Sequence, residues 1–189
     1  MKLRYAGLLA AVVAVVMAFA GSASATTLTS PTGTAGTPTV HAVNEGAHVV
    51  IDSPIGEIKC AWTLEGTVSQ HGSGVTAKVP LSNVTLNNCT EDWHVTVPSK
   101  GSLEIHWTSS YNGTVTSSGM TISATVAGIS CVYGTVNTHI GTLTGGSPAT
   151  LHLGGKLPIH LSESSPFCGT QANSLTGSLS TTAALYVDQ

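Results

Sequence analysis

Short runs of alternating apolar and polar residues, broken every few positions by Gly, Pro or Asn, constrain this chain more than any other feature. Ile58, Cys60, Trp62 and Leu64 alternate with Lys59, Thr63 and Glu65. The same period recurs at Val75, Ala77, Val79 and Leu81, and again at Met120, Ile122, Ala124 and Val126. Ile129, Cys131 and Tyr133 repeat it, as do Ala149, Leu151 and Leu153, then Leu157, Ile159 and Leu161. Successive side chains of a strand point to opposite faces, so each run gathers its apolar atoms on one side. After residue 25 no segment carries a convincing helical period. The expected fold is all-β, an antiparallel β-sandwich of short strands. Two related β-units are a variant of it, because Gly56-x-Ile58-x-Cys60 and Gly128-Ile129-Ser130-Cys131 each lead into a Gly-rich turn and a second cysteine.

Three local readings refine that expectation. Trp93–Val97 and Leu103–Trp107 flank Pro98-Ser99-Lys100-Gly101-Ser102, and pairing Val97 with Leu103 keeps their apolar faces together. That register sets Trp93 opposite Trp107 and His94 opposite His106. Asn112-Gly113 is a two-residue hairpin signal. Pro80 lacks a ladder donor and marks an edge or a bulge.

The first 25 residues read as an export signal. Lys2 and Arg4 precede the apolar run Leu8–Ala20, and Ala23-Ser24-Ala25 supplies the small residues of a cleavage site before Thr26. The run is shorter than the ~20 residues that a spanning helix needs. Residues 26–39, rich in Thr, Gly and Pro, are expected to be a flexible leader, and residues 40–189 a single domain. No membrane span is expected after cleavage. Aromatic residues are 5% of the chain, too few for the girdles of an outer-membrane barrel.

Charged residues are 8% of the chain, against roughly 25% in an ordinary soluble domain. Removing Lys2 and Arg4 leaves four lysines against nine carboxylates, a formal charge of −5 with His neutral. Nucleic-acid binding needs clustered Lys and Arg, so it is not expected. Eight histidines could carry charge below neutrality, and sequence alone reads them as surface residues.

Four cysteines in an exported chain imply a disulfide framework, and none of their spacings is C-x-x-C. Of three connectivities the sequential one is expected, Cys60–Cys89 and Cys131–Cys168. Each bridge would close a loop of about 30 to 38 residues, worth at most ~3–4 kcal/mol by chain entropy.

Cys60, Asn88-Cys89-Thr90, Gly101-Ser102-Leu103-Glu104-Ile105, Ser130-Cys131-Val132-Tyr133 and Ile140-Gly141-Thr142-Leu143-Thr144-Gly145-Gly146 together resemble a group of small secreted bacterial proteins. That group is all-β, carries two disulfides and has no assigned activity. The resemblance covers most of the chain after residue 25. It implies bacterial export, and it brings no catalytic or binding residue with it.

No G-x-S-x-G, H-E-x-x-H, Walker A, S-x-x-K or G-x-G-x-x-G motif is present. No catalytic residue and no cofactor are expected. His94 and His106, if opposed across a hairpin, would stand close enough to share a metal ion with Asp92 or Glu104. His152 and His160 offer a weaker pairing of the same kind. Trp62, Trp93 and Trp107 could stack on sugar rings, but each falls in phase with the apolar positions of its strand and reads as core. The expectation is a secreted, non-catalytic structural or interaction module, with an extracellular protein or polysaccharide as partner. A carbohydrate- or metal-binding domain is the alternative, and a hydrolase comes after it. N-terminal sequencing of protein recovered from culture medium is expected to begin at Thr26. Full-length chain retained in the membrane fraction would show an anchor instead.

Overall fold

Branched and apolar residues at every second position suit a pleated surface buried on one side, and strands form wherever they occur. The computed structural model describes residues 26–29, 38–44, 46–69, 76–160 and 162–188. The expected export signal lies outside these residues. Among the described residues the strands are β1 (Thr27–Thr29), β2 (Thr39–Asn44), β3 (Val49–Ser53), β4 (Gly56–Thr67) and β5 (Ala77–Asn87). They continue with β6 (His94–Ser99), β7 (Ser102–Ser109), β8 (Asn112–Ser118), β9 (Thr121–Val126) and β10 (Ile129–Gly134). Last come β11 (Thr138–Thr144), β12 (Thr150–Gly155), β13 (Ser174–Thr181) and β14 (Tyr186–Asp188), with one 3-10 turn at Pro166–Cys168.

The protein is all-β with two disulfides, and its main sheet closes on itself. Strands β4, β5, β7, β8, β11, β12 and β13 pair in that order, every pair antiparallel. The eighth position is shared end to end by β2 and β3, which both lie between β13 and β4. The result is an up-and-down barrel rather than the open two-sheet sandwich expected from the alternation. Period two assigns a strand its faces and leaves its partners open, so the pattern fits either architecture. Inside the barrel lie Ile58, Trp62, Leu64, Val79, Ile105, Leu175 and Leu179, all buried. Polar residues alternate with them on the outer wall, the inverse of the apolar-out pattern of membrane barrels.

Eight strands enclose a space that side chains can fill, and close strand approaches are met by glycine. A Cβ on Gly113 would lie 2.8 Å from the His106 carbonyl oxygen and 2.9 Å from Ile105 Cγ2. Gly113 is therefore needed inside β8, and Asn112-Gly113 is not the turn. The turn is Ser110-Tyr111, both at positive φ (42° and 69°), joining Ser109 to Asn112. Pro80 sits one step from a bulge: the β4–β5 register shifts between Glu65 and Gly66, which leaves Ser82 extra.

Both ends of the barrel are covered. At the base, where β3 turns into β4, three long connections meet. Strand β6 leaves between β5 and β7, and β9 and β10 leave between β8 and β11. They form a separate sheet in the order β10-β9-β6. The connection from β12 to β13 runs beside β10, with Tyr133 bridged to Ile159. Cys60–Cys89 ties β4 to the β5–β6 connection, and Cys131–Cys168 ties β10 to the β12–β13 connection. Cys60 lies on a barrel strand and Cys131 on the accessory sheet, so the two cysteine units are not structural repeats. At the opposite end, the rim, β1 pairs with β14 and buries Leu28 and Val187. Thr27–Thr29, expected to belong to a flexible leader, is therefore strand, because β14 supplies the partner that local sequence does not show.

The expected Trp93–Trp107 hairpin is not formed. Strand β6 pairs with β9, placing His94 opposite Thr125, while β7 lies between β5 and β8. Of the five residues between the two runs, Pro98 and Ser99 extend β6, Ser102 opens β7, and Lys100-Gly101 crosses from the base sheet to the barrel; apolar matching alone could not tell the two arrangements apart.

Strand β13 carries the closure, and Gly177 lies within it at φ +145° with Val49 Cα 3.0 Å from its would-be Cβ. Gly177→Val should combine backbone strain with a clash across this seam, costing about 2–3 kcal/mol. A melting temperature lower by roughly 5–10 °C is expected at this size. An unchanged melt would show that β13 closes less tightly than described.

Candidate functional site

The barrel interior is filled by its own side chains. Beneath the rim, Val40, Leu64, Val79, Ile105, Leu143 and Leu185 surround a wholly apolar cavity of about 30 Å³. That is room for roughly one water molecule. Nothing larger fits inside this cavity.

One side of that surface has an unusual composition. Strands β8, β11, β12 and β13 are neighbours in the barrel and carry no Lys, Arg, Asp or Glu. Their ionisable side chains are His139 and His152 alone. The register aligns their outward residues in lateral rows. Thr114 stands opposite Thr142, Thr142 opposite His152 and His152 opposite Ser178. The next row joins Asn112, Thr144 and Thr150 in the same way and ends at Ser180, which is buried. Thr142, Thr144, His152 and Thr176 are exposed, and Thr114, Thr150 and Ser178 are half-buried. His152 Nδ1 and Ser178 Oγ lie 3.2 Å apart. Neighbouring strands are spaced about 4.8 Å apart, so the rows form a regular grid of hydroxyl groups.

An exposed aromatic residue stands at the rim of this wall. Tyr111 directly precedes β8 and is 52% exposed, in the left-handed region at φ 69°. A bulky residue there costs on the order of 1 kcal/mol, where Asn or Gly would cost little. Its carbonyl accepts hydrogen bonds from Gly145 N–H (3.0 Å) and Val187 N–H (3.3 Å). Its ring meets Tyr186 edge to face, with centroids 5.4 Å apart.

The charges lie elsewhere. Glu57, Lys59 and Glu65 belong to β4, which stands across the barrel from β11. Lys59 pairs with Glu57 at 2.7 Å, and Lys78 on β5 pairs with Glu104 on β7 at 3.5 Å. His41 Nδ1 lies 2.9 Å from Glu65 Oε1, beside a groove of about 210 Å³ lined by Pro38, Thr39, Val40, Thr181 and Leu185.

The histidines proposed as metal ligands are separated. His94 belongs to the base sheet, whereas His106 pairs with Thr114 on the barrel and approaches Thr76 Oγ1 at 3.4 Å. The pairing loses the hairpin geometry on which it rested. His152 lies on the neutral wall, and the His160 ring packs against the backbone of Gly134. Among the described residues no three His, Cys, Asp or Glu side chains converge as a metal group. Trp62 is buried in the core, while Trp93 and Trp107 are half-buried and pack against it. Trp93 lies beside Gly56 at the base, and the backbone N–H of Trp107 donates to Thr26 Oγ1 at the rim.

Tyr133, in the base, is 1% exposed and its hydroxyl has no hydrogen bond of good geometry. Burial raises its pKa above 10.0; the nearby Ser53 hydroxyl opposes the rise and Asp52 adds to it. Ser53 is itself committed to the Gly56 carbonyl at 2.7 Å, so burial dominates.

Sequence reading did not identify the neutral wall. Its signal was nonetheless present, since residues 105–155 contain no Lys, Arg, Asp or Glu. Comparison of the chain with protein-family models, curated proteins and solved structures found no match.

Tyr133→Phe removes an unpaired buried hydroxyl, so the melting temperature at pH 7 is expected to hold or rise. A phenol with a raised folded pKa stabilises the fold fully below pH 10.0, and that contribution is lost as pH climbs through the folded value. Melts between pH 9 and 11 should therefore show a shallower alkaline loss in the variant. Identical alkaline slopes would place the phenol in water.

Proposed function

We propose that this chain is exported and acts outside the cell as a non-catalytic interaction module that binds its partner through the outer wall of the barrel. What carries the reading is the contrast between a filled interior and a wall of ordered hydroxyl groups free of fixed charge. The N-terminal export signature and two disulfides support an oxidising, extracellular setting. Barrel closure holds the backbone beneath the wall through ladders on both edges of each strand, so its side chains need little ordering on binding.

A thermal-melt screen of the oxidised chain 26–189 tests this, using soluble glycans, cell-wall fragments, metal ions and proteins from the same extracellular fraction. A ligand present at ~100 times its Kd adds about 2.7 kcal/mol, or roughly 5–10 °C at this size. A saturable shift with one class supports the module and names its partner class. Turnover of any compound in the screen, or no shift with any class, would overturn the reading.

A further inference from the structure

The geometry points to the outer face of β8, β11, β12 and β13, with Tyr111 at its rim, as a binding site for an uncharged polysaccharide. This inference rests on the interaction-module reading and names the site and ligand class within it. Two independent observations meet at the same place.

The first is charge segregation. A typical protein surface scatters Lys, Glu and Asp over every face, and this chain has nine carboxylates with which to do so. None lies on these four strands, whereas the strand across the barrel from β11 bears Glu57, Lys59 and Glu65. A charged polymer would find no countercharge on the wall, and its own charges would lose water on docking. An apolar partner would strand the hydroxyl groups of Thr114, Thr142, Thr144 and Ser178 without hydrogen bonds. A neutral glycan meets both conditions. Its hydroxyl groups exchange hydrogen bonds with the rows, and its C–H faces meet the threonine methyls. The rows cross four strands, so they suit several sugar units of an extended chain.

The second is Tyr111. The rim turn needs two residues at positive φ, a role that Asn or Gly fills with little strain. A half-exposed Tyr stands there, steadied by Tyr186 and by the two hydrogen bonds to its carbonyl. An aromatic ring kept exposed at backbone cost, beside a row of hydroxyl groups, provides a stacking surface for a pyranose ring. Tyr111 adjoins Asn112 in sequence, and its carbonyl is held by Gly145, which follows Thr144. The ring therefore stands at the end of the row formed by Asn112 and Thr144.

The test compares binding of the oxidised chain 26–189 to an uncharged soluble glucan, mannan and galactan, with a polyuronate as the charged control. The wild-type chain should bind at least one neutral polymer and bind the polyuronate at least tenfold more weakly. Tyr111→Asn suits the positive φ and should melt no lower than wild type while losing at least tenfold in affinity. Thr142→Glu, at an exposed position in the middle of the grid, should reduce binding beyond detection with the fold intact by circular dichroism. Thr96→Glu, on exposed β6 of the base sheet, should bind as wild type does. Neutral-glycan binding that survives both Tyr111→Asn and Thr142→Glu would overturn the site and leave the module reading standing. Preference for the polyuronate would overturn the ligand class. A melt shift with an extracellular protein and none with any neutral glycan would sink this inference alone.

Discussion

Strand β13 is the element on which the rest of this structure depends. It pairs with β12 along one edge and with β2 and β3 in turn along the other, and those ladders convert an open sheet into a ring. An open sheet of this length would present two rows of unpaired N–H and C=O groups, with the aggregation hazard that follows. Closure removes both. It also fixes which face of every strand is inside, because a one-residue slip anywhere would turn an apolar face outward. The glycines within the ladders follow from the same constraint. Gly113 and Gly177 sit where neighbouring backbone approaches too closely for a Cβ, so their small size serves the ring's geometry rather than local flexibility.

A closed ring still has two open ends, and the chain covers them by different means. The rim takes β1 and β14, which are far apart in sequence and place Leu28 and Val187 over the interior. The base takes the insertions between barrel strands. An isolated hairpin is marginal alone; here a third strand joins it, Cys131–Cys168 ties β10 to the β12–β13 connection, and Cys60–Cys89 ties the chain leading into β6 to β4. Each joins an element whose position is set by the barrel or the base sheet to a connection with little regular structure.

Much of this was legible in the chain and some was not, for reasons that particular residues make plain. Ile58, Cys60, Trp62 and Leu64 were assigned to one buried face, and all four are buried. Both disulfides follow the sequential pairing. Partners were the weak point. His94 and His106 were matched across a hairpin because apolar faces aligned, yet their strands lie in separate sheets. Thr27–Thr29 read as leader because its partner β14 is at the other end of the chain. Asn112-Gly113 read as a turn because local preference favours that pair, while the need for a glycine opposite Trp107, where the His106 carbonyl crowds a Cβ, is a tertiary demand. The neutral wall was overlooked for a related reason. An uncharged stretch from residue 105 to 155 becomes meaningful only once its strands are known to be neighbours.

The economy of charge on this barrel follows from its closure. Open sheets often carry Lys and Glu on their edge strands to block association with other chains. A ring has no such edges to protect, so the main wall can do without charge. Freedom from a constraint does not itself segregate charges, however. The carboxylates lie on β3, β4, β7, β14 and the connections, and hydroxyl groups stand in register on β8, β11, β12 and β13. Threonine also suits an outward strand position by its branched Cβ, which accounts for its frequency in strands generally. Strand propensity would spread threonine evenly around the ring, and Glu57, Lys59 and Glu65 would then have counterparts on β11 and β12. They have none. The asymmetry is a property of the whole face, maintained over four neighbouring strands, and strand propensity alone does not account for it.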